Sequence, residues 1–403
     1  MKKWIGLGLL FLLLFTGAAM AQEAEDITAQ AKVKASSLDK RFKTYAMECS
    51  LDRDYTTQWR SKKERRANLE ITSQEPVYGI YFCSGMEAPE PWVVEVPDGK
   101  SWTVAARADG VYGHEYLALE GLTHFRIRLE TTALKVFAVN ELFLLGEGDV
   151  PGWVQRWEPP VEKADLMILV GHPDDEMLFF GGMIPTYAGE KGMKVVVCYL
   201  TCNYPSRRSE LLNGLWYCGV RNYPDIGSFW DKYSLKLNTQ YAAWGKATVL
   251  SYVTNLIRRY KPEVIATQDV NGEYGHGAHR VCADACLQCV TLAADASKYK
   301  PSAQQWGVWQ PKKLYIHMYK KNQVEFDWDI PLASQGGMTG YETAVEAYKL
   351  YVSQQQPQYK VEPRDSAKSC YLFGLAYTAV GPDTGNDPFE NIDPKTLTNW
   401  QGD

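Results

Sequence analysis

The side chains best suited to chemistry lie where a short apolar segment ends. Leu166–Val170 is a run of five apolar residues, and Gly171 separates it from His172, Asp174 and Asp175. An apolar run that stops at a glycine is typical of a buried parallel strand, and open α/β sheets bind their ligands beyond the carboxyl ends of such strands. Imidazole nitrogens and carboxylate oxygens are both ligands of Zn²⁺. The segment therefore predicts one half of a metal site.

Two more histidines follow a second strand-like segment. The run at residues 263–267 is followed by Asp269 and then by His276 and His279, which are separated by two residues. The chain has only six histidines, so a pair at this spacing is informative. Because parallel strands end at a common edge of the sheet, we expect both segments to contribute to one site. A catalytic zinc site takes three protein ligands and leaves a position open for water.

These motifs resemble those of a known family. The sequence His172-Pro-Asp-Asp-Glu176 after a strand, with the later His276-x-x-His279, is similar to the PIG-L/LmbE family of zinc-dependent N-acetylglucosaminyl deacetylases. Supporting likeness is found in Arg207-Arg-Ser-Glu210 and in Trp309–Tyr315, so the resemblance covers roughly residues 163 to 320. It implies a zinc-dependent amide hydrolase that acts on an N-acetylated amino sugar.

The resemblance implies a role for each matching residue. The implied Zn²⁺ ligands are His172, Asp175 and His279, although two histidines and one carboxylate could also hold Fe²⁺. The implied catalytic residues are Asp174, which would take a proton from water and return it to the amine, and His276, which would face the developing oxyanion.

Arg207 and Asp269 are implied on the substrate side of the site. Arg207 would make two hydrogen bonds to sugar hydroxyls or a phosphate, but with Glu210 three residues later it could equally form an ordinary helical ion pair. Asp269 would orient a zinc histidine, because ligand imidazoles usually donate their second N–H to a carboxylate or carbonyl. One departure from the family is Gly277-Ala278 between the two histidines, where relatives often have Pro-Asp or a similar pair.

Strand-like and helix-like segments alternate around these motifs. Strands are expected at 194–200 and 313–318, and helices at 176–190, 206–217, 248–260 and 279–292. This succession predicts a mostly parallel, Rossmann-like sheet with helices on both faces. Beyond residue 320 we expect a further helix at 341–351 and an added strand at 370–380.

The pattern between residues 27 and 147 is different. Short runs such as Trp102–Ala108 alternate apolar with polar residues and are separated by Gly, Pro and Asp, which predicts an antiparallel β-sandwich. Within it, Leu51–Trp59 resembles the discoidin-like (coagulation factor five/eight type C) jelly-roll module, which often binds carbohydrate. Two interpretations stay open: a module that docks on a larger glycan, or a spacer in which Trp59 belongs to the core.

The chain divides into four predicted parts. Residues 1–21 carry Lys2 and Lys3, an apolar stretch and Ala19-Met-Ala21, the pattern of a secretory signal peptide, so we expect export to the periplasm, the cell surface or the medium. The sandwich spans 27–148, a Pro- and Gly-containing linker spans 149–162, and the deacetylase-like domain with its C-terminal extension spans 163–403.

Composition excludes several classes of partner. The formal charge is −5 without basic blocks, which argues against nucleic acid, and no second long apolar stretch follows the first, which argues against stable membrane insertion. Nine cysteines are dispersed along the chain. Cys282-x-x-x-Cys286-x-x-Cys289 has the spacing of an iron–sulfur site, but a buried helix face of small residues is the preferred interpretation.

These observations lead to one hypothesis and its alternatives. The hypothesis is an exported zinc hydrolase that removes acetyl from N-acetylglucosamine units of a glycan or glycoconjugate, with the sandwich docking on the larger carbohydrate. The first alternative is a zinc hydrolase of another N-acyl amide. The second is a catalytically silent carbohydrate-binding protein, against which the complete set of motif residues argues.

Overall fold

The computed structural model describes residues 22–399, so the predicted signal peptide lies outside the described residues. Within this range an antiparallel, sheet-rich unit is followed by a mostly parallel sheet covered by helices. This confirms the predicted fold class. The last strand of the first sheet ends at Leu145, and the first strand of the second begins at Leu166.

Nine strands form the first unit, and all of their pairings are antiparallel. The strands are β1 (Ala31–Ala35), β2 (Trp59–Arg60), β3 (Glu64–Arg65), β4 (Asn68–Ser84), β5 (Trp92–Asp98), β6 (Ser101–Ala108), β7 (His114–Leu129), β8 (Leu134–Lys135) and β9 (Ala138–Leu145). The sheet order is β2-β9-β4-β7-β5-β6, with β1 also on β4, whereas β3 and β8 pair with each other.

The long strands β4 and β7 make this sheet close over a core. Their pairing register breaks between Thr72 and Val77, so the two halves of β4 pair with different neighbours. Leu69 from the first half and Phe82 from the second belong to the same apolar cluster. Trp59 is fully buried in that cluster, so it is a core residue and not a glycan-stacking side chain.

The strands of the second sheet are β10 (Leu166–Val170), β11 (Val195–Tyr199), β12 (Asp225–Ile226), β13 (Val264–Thr267), β14 (Lys313–His317), β15 (Gln323–Glu325) and β16 (Leu372–Thr378). Their order is β12-β11-β10-β13-β14-β16-β15. The first five strands in this order are parallel, and the last two join antiparallel. The chain leaves β10 toward β11 and later returns to β13 on its other side, so the end of β10 is a topological switch point.

Side-chain alternation along β10 explains why both faces of this sheet are covered. Leu166, Ile168 and Val170 pack on one face, whereas Met167 and Leu169 pack on the other. The helices α1 (Asp175–Phe180), α2 (Pro205–Tyr217) and α7 (Gly340–Tyr348) cover the first face. The helices α3 (Leu237–Trp244), α4 (Lys246–Tyr260) and α5 (Gly277–Leu292) cover the second. A short α6 spans Lys300–Trp306.

One predicted helix is interrupted. Instead of a continuous helix over 176–190, α1 ends at Phe180, and Pro185–Glu190 form a wider turn of π type. Cβ atoms at Gly181 and Gly182 would lie 2.4 Å from Ala344 and 2.4 Å from Trp328, respectively. Close approach of α7 and of the Trp328 segment therefore requires glycine at the break, a tertiary contact that periodicity does not show.

Helix α2 joins the two units. The Arg208 side chain donates hydrogen bonds to the carbonyl oxygens of Ser84 at 3.0 Å, Met86 at 2.6 Å and Glu87 at 2.8 Å. Ser209 Oγ donates to Asn140 Oδ1 at 2.6 Å. Because Arg208 is only 6% exposed, these bonds are largely shielded from water. The sandwich is therefore attached through α2 itself and not through the 149–162 segment alone.

Two further findings concern the cysteines and the apolar character of the helices. All nine cysteines are free, and Cys282, Cys286 and Cys289 are buried in α5 against the sheet, as the small-residue interpretation predicted. Between residues 22 and 399, none of the helices has the length and apolar character needed to cross a bilayer.

Replacing Arg208 tests the attachment of the sandwich. We expect Arg208→Ala to lower the free energy of unfolding by about 2 to 4 kcal/mol, because a mostly buried guanidinium loses three charge-assisted hydrogen bonds. Urea unfolding followed by tryptophan fluorescence measures this. The matched control is Arg107→Ala, whose side chain is 61% exposed beside Glu130 and should cost less than about 1 kcal/mol. Equal losses would contradict the proposed attachment.

Candidate active site

The motif residues meet in a cleft at the carboxyl edge of the second sheet. β10 and β13 are adjacent parallel strands, so the segments that follow them lie side by side. The cleft has a volume of about 420 Å³. Its lining includes the sequence-predicted residues His172, Asp174, Asp175, Arg207, His276 and His279. Asp269 does not line it.

Three side chains with potential ligand atoms form a compact triangle. His172 Nδ1 lies 3.2 Å from Asp175 Oδ2 and 3.3 Å from His279 Nε2, and His279 Nε2 lies 3.2 Å from Asp175 Oδ1. For metal–ligand distances of about 2.0 to 2.1 Å, the edges of a tetrahedron are about 3.3 to 3.4 Å. The three separations are close to these edges, and the two that involve Asp175 are made by its two different oxygens, so the residue types and spacing suit a small metal ion. A wider group, in which His276 replaces Asp175, has its nitrogens within 4.8 Å of one another.

Two carboxylates hold the outer nitrogens of these histidines. Asp231 Oδ1 lies 3.4 Å from His172 Nε2, and Glu273 Oε2 lies 3.1 Å from His279 Nδ1, although that pair is not aligned as a hydrogen bond. Outer carboxylates of this kind orient metal-binding imidazoles. Sequence reasoning placed Asp269 in this role, but Asp269 Oδ1 accepts hydrogen bonds from Asn271 instead. Glu273 lies beside His279 instead, because the turn at 272–276 brings it under the site.

The electrostatics of the site favour a cation. Burial lowers the pKa of His279, but Asp175 and Glu273 outweigh it and raise the value to about 10. Burial likewise lowers the pKa of His172, whereas Asp175 and Asp231 raise it to about 9. Burial raises the pKa of Asp175, yet the two histidines hold it well below its usual range. A field that stabilises added positive charge on buried imidazoles also stabilises a bound metal ion.

Asp174 lies beside the triangle in a strained conformation. Its φ is +109°, which L-residues rarely adopt and which costs on the order of 1 to 3 kcal/mol. Glu176 holds the strain by accepting the Asp174 backbone N–H at 2.9 Å, while Tyr351 donates to the Glu176 carboxylate. Burial raises the pKa of the Asp174 carboxyl to about 7, and Arg207 at 3.5 Å opposes that shift. A group of this pKa can exchange a proton near neutral pH.

His276 precedes α5 and completes the histidine group. Its ring centroid lies 4.7 Å from that of His172 and 4.9 Å from that of His279. Burial and the two neighbouring histidines lower its pKa to about 4, so the imidazole is neutral at physiological pH. A neutral imidazole can donate one N–H to a ligand in the cleft.

Arg207 faces the cleft and is also paired. The guanidinium contacts Asp174 at 3.5 Å and Glu210 at 3.1 Å, and it donates to the Pro173 carbonyl and to Ser353 Oγ. The helical ion pair considered from the sequence is therefore present, and the cleft-facing position is present as well. These contacts fix the guanidinium beside the general acid–base candidate.

The C-terminal extension contributes to the same wall. Ser353 donates from its backbone N–H and its hydroxyl to Glu210, both at 2.7 Å, and Gln354 and Tyr359 line the cleft. Glu210 is fully buried, so these bonds satisfy a carboxylate that has lost its water. The extension is part of the site and not an appended tail.

Comparison with solved structures gives similarities of low score. The F5/8 type C domain of a Bacteroides fragilis protein has 16% identity and a TM-score of 0.26, covering 31% of this chain and 96% of that domain. The family 32 CBM of Clostridium perfringens NanJ, solved in complex with galactose, has 11% identity and a TM-score of 0.25, covering 30% of this chain and 98% of that one.

Curated relatives match the α/β part. The 1D-myo-inositol 2-acetamido-2-deoxy-alpha-D-glucopyranoside deacetylase 1 of Catenulispora acidiphila is 25% identical over 184 residues, 39% of this chain and 56% of that protein. The deacetylase of the same description from Rhodococcus erythropolis is 29% identical over 192 residues, 40% of this chain and 63% of that protein. The chain thus spans less than two thirds of the length of these relatives.

A family model matches the part of the chain that contains the motif residues. The model described as PIG-L: GlcNAc-PI de-N-acetylase matches residues 167–290, a segment that begins in β10 and ends within α5. All three residues of the triangle lie inside it. Residues 167–290 are therefore a PIG-L domain, and the resemblance found from the sequence is confirmed for this part of the chain.

Proposed function

We propose that the protein is a metal-dependent hydrolase that removes the acetyl group from an N-acetylglucosamine unit of a glycan or glycoconjugate. The observation that carries the proposal is the triangle of His172, Asp175 and His279 with Asp174 beside it, in a cleft of a PIG-L domain. The relatives named as deacetylases of an acetamido-glucopyranoside support the substrate class. Zn²⁺ is the proposed ion, and Fe²⁺ is the alternative for this ligand set.

The metal ligands and the acid–base residue have separate roles in the proposed reaction. His172, Asp175 and His279 would hold the metal ion, which would supply Lewis-acid chemistry toward the acetamide carbonyl and water. Asp174 accepts the proton of the attacking water, a C–O bond forms at the carbonyl carbon, and the C–N bond breaks as Asp174 returns the proton to the amine. The products are acetate and a free amino sugar, and Asp174 ends in its starting state.

His276 and Arg207 act on the substrate itself. The neutral His276 imidazole donates its N–H toward the carbonyl oxygen, where negative charge develops, and one such donor is typically worth about 10² to 10³ in rate. Arg207, fixed by Glu210 and Ser353, presents its remaining donors to sugar hydroxyls. The carboxylates Asp231 and Glu273 keep the imidazoles oriented while the charge changes.

Export and glycan docking complete the proposal. Export rests on the pattern of residues 1–21, and docking rests on the resemblance of Leu51–Trp59 to discoidin-like modules. A hydrolase of other N-acyl amides is the second candidate, since the ligand triangle by itself does not select a sugar. Acetate release measured in parallel on N-acetylglucosamine derivatives and on simple N-acyl amines separates the two.

Asp174→Asn tests the acid–base role. We expect acetate release by the zinc-loaded protein to fall by about 10² to 10⁴-fold, because the amide cannot accept the proton. Zinc content should stay unchanged, since Asp174 is not a ligand. The measurement is acetate formation across N-acetylglucosamine mono- and oligosaccharides, with bound zinc determined on the same samples. Undiminished release by Asp174→Asn would overturn the mechanism, and silence of the zinc-loaded wild type on sugars would favour other amides.

A matched pair of variants tests the outer carboxylate. Glu273→Gln keeps the shape of the side chain and removes its charge, so we expect zinc affinity to fall by about 10- to 100-fold. Asp269→Asn, on the same loop but without contact to a cleft histidine, should change zinc affinity less than about two-fold by the same reasoning. Competition with a chelator measures both. The opposite order would restore Asp269 to the role inferred from the sequence.

A further inference from the structure

Two tyrosines at the mouth of the cleft are exposed in a way that the reaction itself does not explain. Tyr204 is 59% exposed and Tyr233 is 73% exposed, and both line the cleft. Trp230, on the same loop as Tyr233, is 67% exposed. Large exposed aromatic rings beside a polar cleft are typical of ligand-binding grooves. None of the roles derived above uses either ring.

The backbone that carries these rings is firmly held. Asn203 bridges the two loops, because its Oδ1 accepts the Asp231 backbone N–H at 2.6 Å and its Nδ2 donates to the Phe229 carbonyl at 3.1 Å. The Phe229 ring is packed between those of Trp244 and Tyr252, at 5.3 and 5.5 Å. The exposed rings therefore stand on an ordered support, which lowers the entropy cost of binding through them.

The start of α5 holds the other end of the Tyr233 loop. The Gly277 backbone N–H donates to the Ser234 carbonyl at 2.7 Å, and a Cβ at position 277 would lie 2.1 Å from Ser234 Oγ. Proline has no N–H to donate here, and any Cβ at position 277 would force Ser234 to move. Glycine at position 277, where relatives of the family often have proline, therefore allows the Tyr233 loop to pack against the histidine segment. The Tyr233 ring centroid lies 5.3 Å from that of His276.

We propose that Tyr204 and Tyr233 form a subsite for a second, neutral sugar ring, joined to the acetamido sugar whose amide is cleaved. The apolar face of a pyranose packs on the tyrosine rings, and its hydroxyls meet the phenol oxygens and the half-exposed carboxylate of Asp231. Among residues 22–399, no group hydrogen-bonds either phenol, so both remain available to a ligand. This inference rests on the proposed deacetylase function and narrows its substrate to an oligosaccharide.

The experiment compares kcat/KM for N-acetylglucosamine with that for its β-1,4- and β-1,6-linked oligomers, taking the better oligomer for all variants. We expect the wild-type protein to prefer the oligomer by at least about ten-fold. Tyr233→Ala and Tyr204→Ala should each lower kcat/KM for the oligomer by about 3- to 10-fold more than for the monosaccharide, mainly through KM. Tyr233→Phe keeps the stacking face and should retain most of the preference.

Tyr217→Ala is the matched control. This tyrosine is 38% exposed at the end of α2 and does not line the cleft, so both substrates should be unaffected. Equal wild-type kcat/KM for monomer and oligomer, or equal losses on both substrates in the alanine variants, would overturn the subsite while the deacetylase proposal stands. Failure of the zinc-loaded wild type to release acetate from any sugar would overturn the proposed function first.

Discussion

Four carboxylates and three histidines crowd into one small, mostly buried volume at the ends of β10 and β13, and the surrounding structure depends on balancing their charge. Asp175 contacts both ligand histidines, while Asp231 and Glu273 contact their outer nitrogens. Burying this many charges is costly unless each has a partner. The carboxylates raise the pKa of His172 and His279, so this part of the cleft stabilises added positive charge.

The same balance extends outward from the ligand triangle. Glu273 also contacts His317 Nδ1 at 2.8 Å, and His317 Nε2 lies 3.1 Å from the Ser369 carbonyl, which links the site to the antiparallel edge of the sheet. On the other side, the strain at Asp174 is held by Glu176 and, through Tyr351, by the segment after α7. The strained aspartate is maintained by contacts from residues far apart in the chain, as strained functional residues require.

Local patterns in the sequence predicted the central strands of the second sheet and the sheet edge at which the motif residues meet. The five apolar residues Leu166–Val170 are enough to predict a buried strand, and the glycine that follows marks where it ends. The identity of the outer carboxylates could not be read in this way. Glu273 reaches His279 because Gly272 and Tyr274 both have positive φ values and turn the chain sharply, and Asp231 reaches His172 from a loop after β12. Such contacts depend on loop geometry, which has no periodic signal.

The interruption of the predicted helix after Phe180 also depends on contacts between segments that are distant in the sequence. Periodicity indicated one helix to Glu190, but α7 packs closely on Gly181 and Trp328 packs closely on Gly182 where α1 ends. Similarly, apolar character marked the strand at 372–378, whereas its antiparallel direction depends on the path of the chain after β14. Short-range signals thus identify elements, and tertiary contacts decide their limits and direction.

Consecutive arginines on α2 have opposite attachments: Arg207 is fixed in the cleft wall, and Arg208 is fixed to the carbonyls of the sandwich. Domains joined by a flexible linker sample a range of separations set by linker length. Here a single turn of α2 contacts both the sandwich and the cleft, so the distance between the sandwich and the cleft is fixed by these contacts. If the sandwich binds a carbohydrate polymer, as proposed, the cleft would therefore reach only sugar units at a set distance along that polymer from the bound segment.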